Sequence, residues 1–354
     1  MQIKEAIIHQ LIKAKETQGD GSVQVQPRTS RLASDAFLEA TVQTLLETYS
    51  ESVSGYGSLG TDANLHRFPV LLHTYLNATK NTPQAFIDFT GNSLNLIAEN
   101  MKKEFFATGG YVLFLRYANL GADWLMVVVL KIKDGAGVDP ITMDLQRTLT
   151  LDISKLHEAA RVNLTKWGTD TQPYLSFVKP RGSKVSDYFR DALACLNFTE
   201  SKHHTDQVIQ ALGAFITARS DIPAEEKSAR LIDARQKLYD CFVANPKEVV
   251  LATISASVMP SDPTAFTAFI RTGPSAADYQ INDSFKPDRS TYSRIKRLRG
   301  KMGSVTVSFD VDDVRAQRVR YDSTTNTLVL TQPSHELITE IQKYDPLAVA
   351  PVQT

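Results

Sequence analysis

The stretch YVLFLRYANLGADWLMVVVL, residues 111–130, decides the fold. It has the length of a membrane span, about 20 residues. Yet Arg116 and Asp123 fall inside it, and Asn119, Leu120 and Gly121 form a turn signal at its centre. Charges at bilayer depth are costly, and a turn between two apolar runs makes two buried strands the cheaper solution. No membrane span is expected. Because runs such as LMVVVL are apolar on both faces, these strands, over 111–117 and 124–133, are expected at the centre of a sheet covered on both sides.

Working outward, residues 3–13, a GDG turn at 19–21 and alternating VQV at 23–25 predict a β-hairpin. Ser34 is placed to cap a helix over 35–52, whose apolar stripe is Phe37, Leu38, Val42, Leu45 and Leu46. A longer helix is predicted over 82–106, with Pro83 in its first turn, where a missing N–H does no harm. Downstream, TLTLDI and ARVNLTKW, ending at Trp167, add two strands. Residues 1–170 therefore read as an α+β domain, helices packed on a mostly antiparallel sheet.

Residues 171–354 read differently. Val185, Tyr188, Phe189, Leu193 and Leu196 follow helical spacing, and helices over 206–218, 224–243 and 246–257 follow. RIKRLRG, GSVTVSFDV, QRVRYD and NTLVL then predict a basic C-terminal β-meander, closed by a short helix over 334–342. No internal repeat or low-complexity tract interrupts this order.

A chain of 354 residues, 42% hydrophobic and 22% charged, has the composition of a folded protein of about two domains. Cys195 and Cys241, both in helical patterns, suit free buried thiols in a reducing compartment, the cytoplasm. The start, MQIKEAIIHQ, lacks the apolar core of a secretory signal. With 39 Lys+Arg against 39 Asp+Glu the chain is neutral, so attraction to an anionic polymer requires charge gathered on one face. Residues 286–322 carry ten Lys/Arg and five Asp, a balance of +5 that leaves −5 on the rest.

Catalytic signatures are missing. There is no G-x-S-x-G, H-E-x-x-H, Walker A, C-x-x-C or G-x-G-x-x-G. HELITE at His335 has Thr339 where a zincin needs its second histidine. Adjacent His203 and His204 diverge and fit a solvated helix cap better than a metal pair. Asp191, Glu200 and Lys202 mimic a nuclease set loosely, but in a helical pattern, where that chemistry uses adjoining strands. DVDD at 310–313 lacks the glycine and distal glutamate of a calcium loop and reads as an acidic turn. No catalytic residue, metal or cofactor is expected.

What remains is RSTYSRIKRLRGKMGSVTVSFD, residues 289–310. Arg294, Lys296, Arg297, Arg299 and Lys301 fall within eight positions, and Arg289 precedes them. As a strand over 292–299 this would put Arg294, Lys296 and Leu298 on one face and Ile295, Arg297 and Arg299 on the other. A twisted edge ribbon lets most of the long side chains reach one anionic surface. Arg318 and Arg320 alternate onto a shared face nearby. A smaller basic turn, KPRGSK, brings Lys179, Arg181 and Lys184 to a helix start, a favourable place for an anion. Phosphate is the obvious partner; the plain alternative is a solvated face, or pairing with Asp310, Asp312 and Asp313.

Four stretches, IIHQLIK, GGYVLFLRYANLGADWLMVVVLK, LDISKLHEAARVNLTKW with YLSFVKPRGSKVSDYF, and FKPDRSTYSRIKRLRGKMGSVTVSFD, resemble the bacterial 37-kilodalton nucleoid-associated proteins, the NdpA or YejK family. PDRST before the basic strip and SFD after it carry the most specific likeness. This chain has only GKMGS where the family pattern suggests a Gly-rich turn. The resemblance implies a cytoplasmic, nucleoid-associated protein that binds DNA and has no established enzymatic activity. It supplies no contact residues, so the site assignments rest on charge and spacing.

The reading is therefore a homodimer that holds double-stranded DNA by its phosphates, with little sequence preference. An adaptor that meets an acidic surface on a DNA-processing or phage factor is the alternative, and a metal-dependent nuclease the third.

Overall fold

The computed structural model describes residues 1–78, 82–178, 185–273 and 278–344. The chain opens with β1 (Gln2–Ile12), β2 (Gln24–Gln26), α1 (Ala36–Ser52), β3 (Val53–Leu59), α2 (Arg67–Leu76) and α3 (Pro83–Met101). The decisive window then folds as a hairpin of β4 (Gly110–Asn119) and β5 (Ala122–Leu130). Its two-residue loop, Leu120 at φ 51° and Gly121 at φ 77°, has the paired left-handed backbone that matches strand twist in such turns. The two interrupting charges meet: Arg116 donates to Asp123 at 2.8 Å and to the Tyr75 hydroxyl at 2.9 Å. Among the described residues no helix is long and apolar enough to cross a membrane.

A separate hairpin, β6 (Ile132–Val138) and β7 (Leu145–Leu151), projects next, followed by β8 (Glu158–Asn163), α4 (Leu164–Trp167), β9 (Leu175–Val178), α5 (Asp187–Ala192) and β10 (Cys195–Glu200). Eight strands make one antiparallel sheet in the order β10-β3-β9-β8-β5-β4-β1-β2. Its two faces are both covered, as the continuous apolar runs require. Val112, Phe114, Leu125, Val127 and Phe177 pack with Phe86, Phe89 and Ile97 of α3 and Phe189 of α5. Leu113, Leu115, Met126 and Val128 pack with Val42, Leu45 and Tyr49 of α1. Each such side chain, fully withdrawn from water, contributes about 1.5–3 kcal/mol.

The remaining elements are α6 (Ser201–Ala218), α7 (Ala224–Ala244), β11 (Val249–Val250), α8 (Leu251–Val258), α9 (Ala265–Thr272), β12 (Ser284–Phe285) and α10 (Arg289–Tyr292). They enclose a second core of Phe215, Phe242, Phe266 and Phe285. Tyr56 of β3 joins that core, and its hydroxyl accepts from the Lys286 N–H at 2.7 Å. One residue thus ties the sheet to the helical body. The chain ends in a 3₁₀ turn (Ser293–Ile295), β13 (Arg297–Met302), β14 (Val305–Asp310), α11 (Val311–Arg315), β15 (Val319–Asp322), β16 (Thr327–Leu330) and α12 (His335–Gln342).

The expected α+β class, the antiparallel sheet and the basic C-terminal β segment are all present, the last as two separate hairpins, β13–β14 and β15–β16, in place of one continuous meander. Several details differ. Asp35, not Ser34, caps α1, accepting from the Leu38 N–H at 2.8 Å, and Phe37 is exposed. LTKW is the short helix α4 rather than the end of a strand, because Asn163 caps it through the Lys166 N–H. The helical stripe through Leu196 breaks after Ala192, where Ala194 takes φ 53° and the chain returns to the sheet as β10. Cys195 therefore lies in a strand. Burial pushes its thiol up to about 12, and buried Cys241 in α7 is also raised. Thiolate is the reactive form, so iodoacetamide at neutral pH is expected to label neither cysteine in the native protein and both in urea. Rapid native labelling of either, read by mass spectrometry, would refute that placement.

Candidate nucleic-acid interface

PDRST turns out to be a helix start. Asp288 caps α10, accepting from the Thr291 N–H at 2.9 Å, the Thr291 hydroxyl at 2.6 Å and the Ser290 hydroxyl at 2.6 Å. Its own N–H donates to Thr205 Oγ1 on α6 at 2.9 Å. Burial works to raise the Asp288 carboxyl, but these hydrogen bonds hold it below its ordinary value. The cap fixes where the basic strip leaves the helical body.

The strip itself is not the strand expected over 292–299. Residues 289–295 are helical turns, and β13 begins only at Arg297. The reason is Tyr292, which is buried against Tyr239 and Phe242 at ring distances of 5.6 and 5.5 Å. Burying that ring from a capped turn outweighs the strand pattern of the residues after it. Arg289 and Arg294 are exposed on these turns.

Lys296 does not project. Its ammonium meets Asp312 at 2.9 Å and lies 4.5 Å from the centre of the Tyr239 ring. Asp312 also takes Arg315 at 3.1 Å, and Asp313 takes Arg318 at 2.6 Å. The acidic stretch is the capped start of α11 rather than a turn: Asp310 accepts from the Asp312 N–H while Asp313 accepts from the Asp310 N–H, each at 2.9 Å. Lys296 holds the Asp312 carboxyl below its ordinary value, and Arg318 does the same for Asp313. Pairing with aspartates therefore holds for Lys296 and Arg318, whose charges are engaged within the protein.

From Arg297 onward the pattern is clean. Register pairs Arg297 with Asp310, Arg299 with Ser308 and Lys301 with Thr306 on one face of the hairpin. Leu298 with Phe309, Gly300 with Val307 and Met302 with Val305 occupy the other. All of β13 is exposed. Same-face residues recur every ~6.8 Å along a strand, so the three cations make a row about 14 Å long. Thr306 and Ser308, which sequence reasoning passed over, add hydroxyls able to donate to phosphate; the alternation of SVTVSFD was the available signal. Arg320 lies in β15, on the next hairpin. Among the described residues Arg289, Arg294, Arg297, Arg299, Lys301 and Arg320 make no ion pair. Lys179, Arg181 and Lys184 lie outside the described residues.

The model for nucleoid-associated protein YejK matches residues 7–338, from within β1 to within α12. The chain belongs to this family. It is 28% identical to a nucleoid-associated protein of Shewanella sp. strain MR-4, over 93% of this chain and 94% of that one. A nucleoid-associated protein of Pseudomonas aeruginosa strain UCBPP-PA14 is 27% identical, over 97% and 98%, and one of Pseudomonas entomophila strain L48 is 29% identical, over 97% and 99%.

The remaining candidates lie on other elements. Among the described residues no cluster of three or more His, Cys, Asp or Glu is arranged to hold a metal. Asp191 lies in α5, Glu200 ends β10 and Lys202 opens α6. His204 is not a solvated cap: it is buried, edge-on to Tyr56 at 5.5 Å and within hydrogen-bond distance of Thr199 Oγ1 at 2.9 Å. Burial, with His203 beside it, lowers its pKa to about 4. It works as a core residue where the sheet meets the helices.

Proposed function

We propose that this protein binds double-stranded DNA in the bacterial nucleoid, within the cytoplasm, and acts as an architectural protein rather than an enzyme. It holds the phosphate backbone through one exposed hairpin face and reads little sequence. What carries the reading is the row Arg297, Arg299 and Lys301, on one face and without ion pairs among the described residues. Family membership and the names of the relatives support it. Arg289, Arg294 and Arg320 are the further contacts proposed on the described chain, and Lys179, Arg181 and Lys184 beyond it. The row lies on a strand, and phosphate contacts position a duplex without specifying its bases. The protein works as a homodimer, because a neutral protomer with a short row of cations grips weakly and two rows on one duplex multiply.

Fluorescence anisotropy with a labelled duplex across a salt series tests the reading. Six free cations predict a slope of log K against log salt near −5 for each arm engaged. A flat response would overturn it. The double variant Asp312→Asn, Asp313→Asn releases Lys296 and Arg318, so tighter binding and a slope steeper by about 1–2 units are expected. An unchanged slope would show that these two heads stay turned away from DNA.

A further inference from the structure

On the sheet face that α1 covers, one arginine stands among apolar side chains. Register sets Tyr56 of β3 opposite Ser176 of β9, Ser176 opposite Arg161 of β8, and Arg161 opposite Met126 of β5. Residues directly opposite across antiparallel strands share a face, so Arg161 lies beside the core that holds Met126, Leu115 and Tyr49. Its guanidinium is 4.3 Å from the centre of the Trp124 ring and 5.0 Å from that of Tyr49. The rings attract it by cation–π contact but bring no counter-charge. Among the described residues Arg161 makes no ion pair, and its Nε is buried without an acceptor. A half-buried guanidinium left so is costly unless an anion completes it.

Arg161 lines a cavity of about 130 Å³ together with Lys166 of α4, Lys247, Tyr174 and Ser284. Lys166 also makes no ion pair among the described residues, and Lys247 reaches Glu51 only at 3.8 Å. One carboxylate, Glu248, lines the cavity too and pairs with none of the three cations. The walls come from both halves of the molecule: β5, β8, α4 and β9 on the sheet side, and the approach to β11 with β12 on the helical side.

We propose that this cavity binds a single phosphate group, either a free phosphate or the phosphorylated end of a larger molecule. The size fits: at ~30 Å³ for each water, the space holds about four waters, or one tetrahedral oxyanion without an attached nucleoside. The charge fits, with three cations against one carboxylate. So does the chemistry: a guanidinium fork donates two parallel hydrogen bonds to one phosphate, and the lysines add point charge. A phosphate held there touches the sheet and the helical body at once and ties them together. The site shares no residue with the basic strip, so it stands or falls apart from the DNA reading.

The test is thermal unfolding of the full chain in inorganic phosphate and in chloride at matched ionic strength, with affinity measured by isothermal titration. Saturating phosphate should raise the midpoint by roughly 2 °C. Phosphate also stabilises proteins in general, by exclusion from their surface, so what counts is the part of the rise lost on substitution. Arg161→Gln keeps a planar polar head beside Trp124 and should lose that part, its affinity falling about tenfold or more. Lys166→Gln, on the half-buried α4, should bind several-fold more weakly and carries the test if Arg161→Gln fails to fold. The triple alanine variant of Arg297, Arg299 and Lys301 should keep the full rise. A 5′-phosphorylated duplex that binds more tightly than its 5′-hydroxyl form, by a margin that Arg161→Gln removes, assigns the group to a strand end. Equal binding of the two duplexes, with the inorganic phosphate response intact, assigns it to a small molecule. Equal rises in wild type and in both single variants, the result of exclusion or of adventitious surface binding only, overturn the proposal.

Discussion

Replacing Arg297, Arg299 and Lys301 together by alanine is expected to weaken duplex binding several hundred-fold at about 0.1 M salt. Each phosphate contact carries roughly 0.9 units of salt slope, so losing three flattens the slope by about 2.7 units for one arm. The three side chains are exposed, on a strand that contributes nothing to either main core, so folding should be untouched. The control is Lys296→Ala. Its ammonium faces Asp312 and the Tyr239 ring, so its loss should change DNA affinity far less than that of any member of the row. Equal losses for Lys296 and Arg299, measured by anisotropy, would mean that the hairpin face does not organise the contact.

Acidification should destabilise the protein through His204. Its folded pKa, about 4, lies below the ~6.5 of an unfolded histidine, so in between only the unfolded chain takes up the proton. Stability from this residue is complete above pH 6.5 and declines as pH falls towards 4, a loss of roughly 3 kcal/mol. His9, also buried and lowered to about 4, acts in the same direction. Urea unfolding at pH 7 and pH 4.5 isolates the effect by comparison with His204→Phe, which keeps a ring against Tyr56 and Phe285. The variant should lose about 2–3 kcal/mol less over that interval. Identical losses would refute the assignment to His204.

The central hairpin was legible because its evidence is local: a turn tripeptide, two apolar runs, and charges that a hairpin lets meet. α3 was legible for the same reason, with Pro83 at its start. β3 was not, since VSGYGSL has little strand character of its own and is held by β9 and β10, more than a hundred residues away. β10 was hidden because its residues complete a helical stripe that ends at a left-handed Ala194. In the strip, charge density was visible but the point where the strand begins was not. That depends on Tyr292 entering a core built by α7, and on which aspartates of α11 reach back to Lys296.

The sheet order also bears on how the polypeptide matures. β3 sits between β9 and β10, so it has no strand to pair with until residue 178 has been synthesised, and its other edge stays open until residue 200. A nascent chain leaving the ribosome carries the β4–β5 hairpin early but must hold β3 open meanwhile, and unsatisfied strand edges invite association. Trigger-factor-like chaperones are therefore most useful to this protein during the middle of its translation, and truncations ending before β10 should be recovered as aggregates.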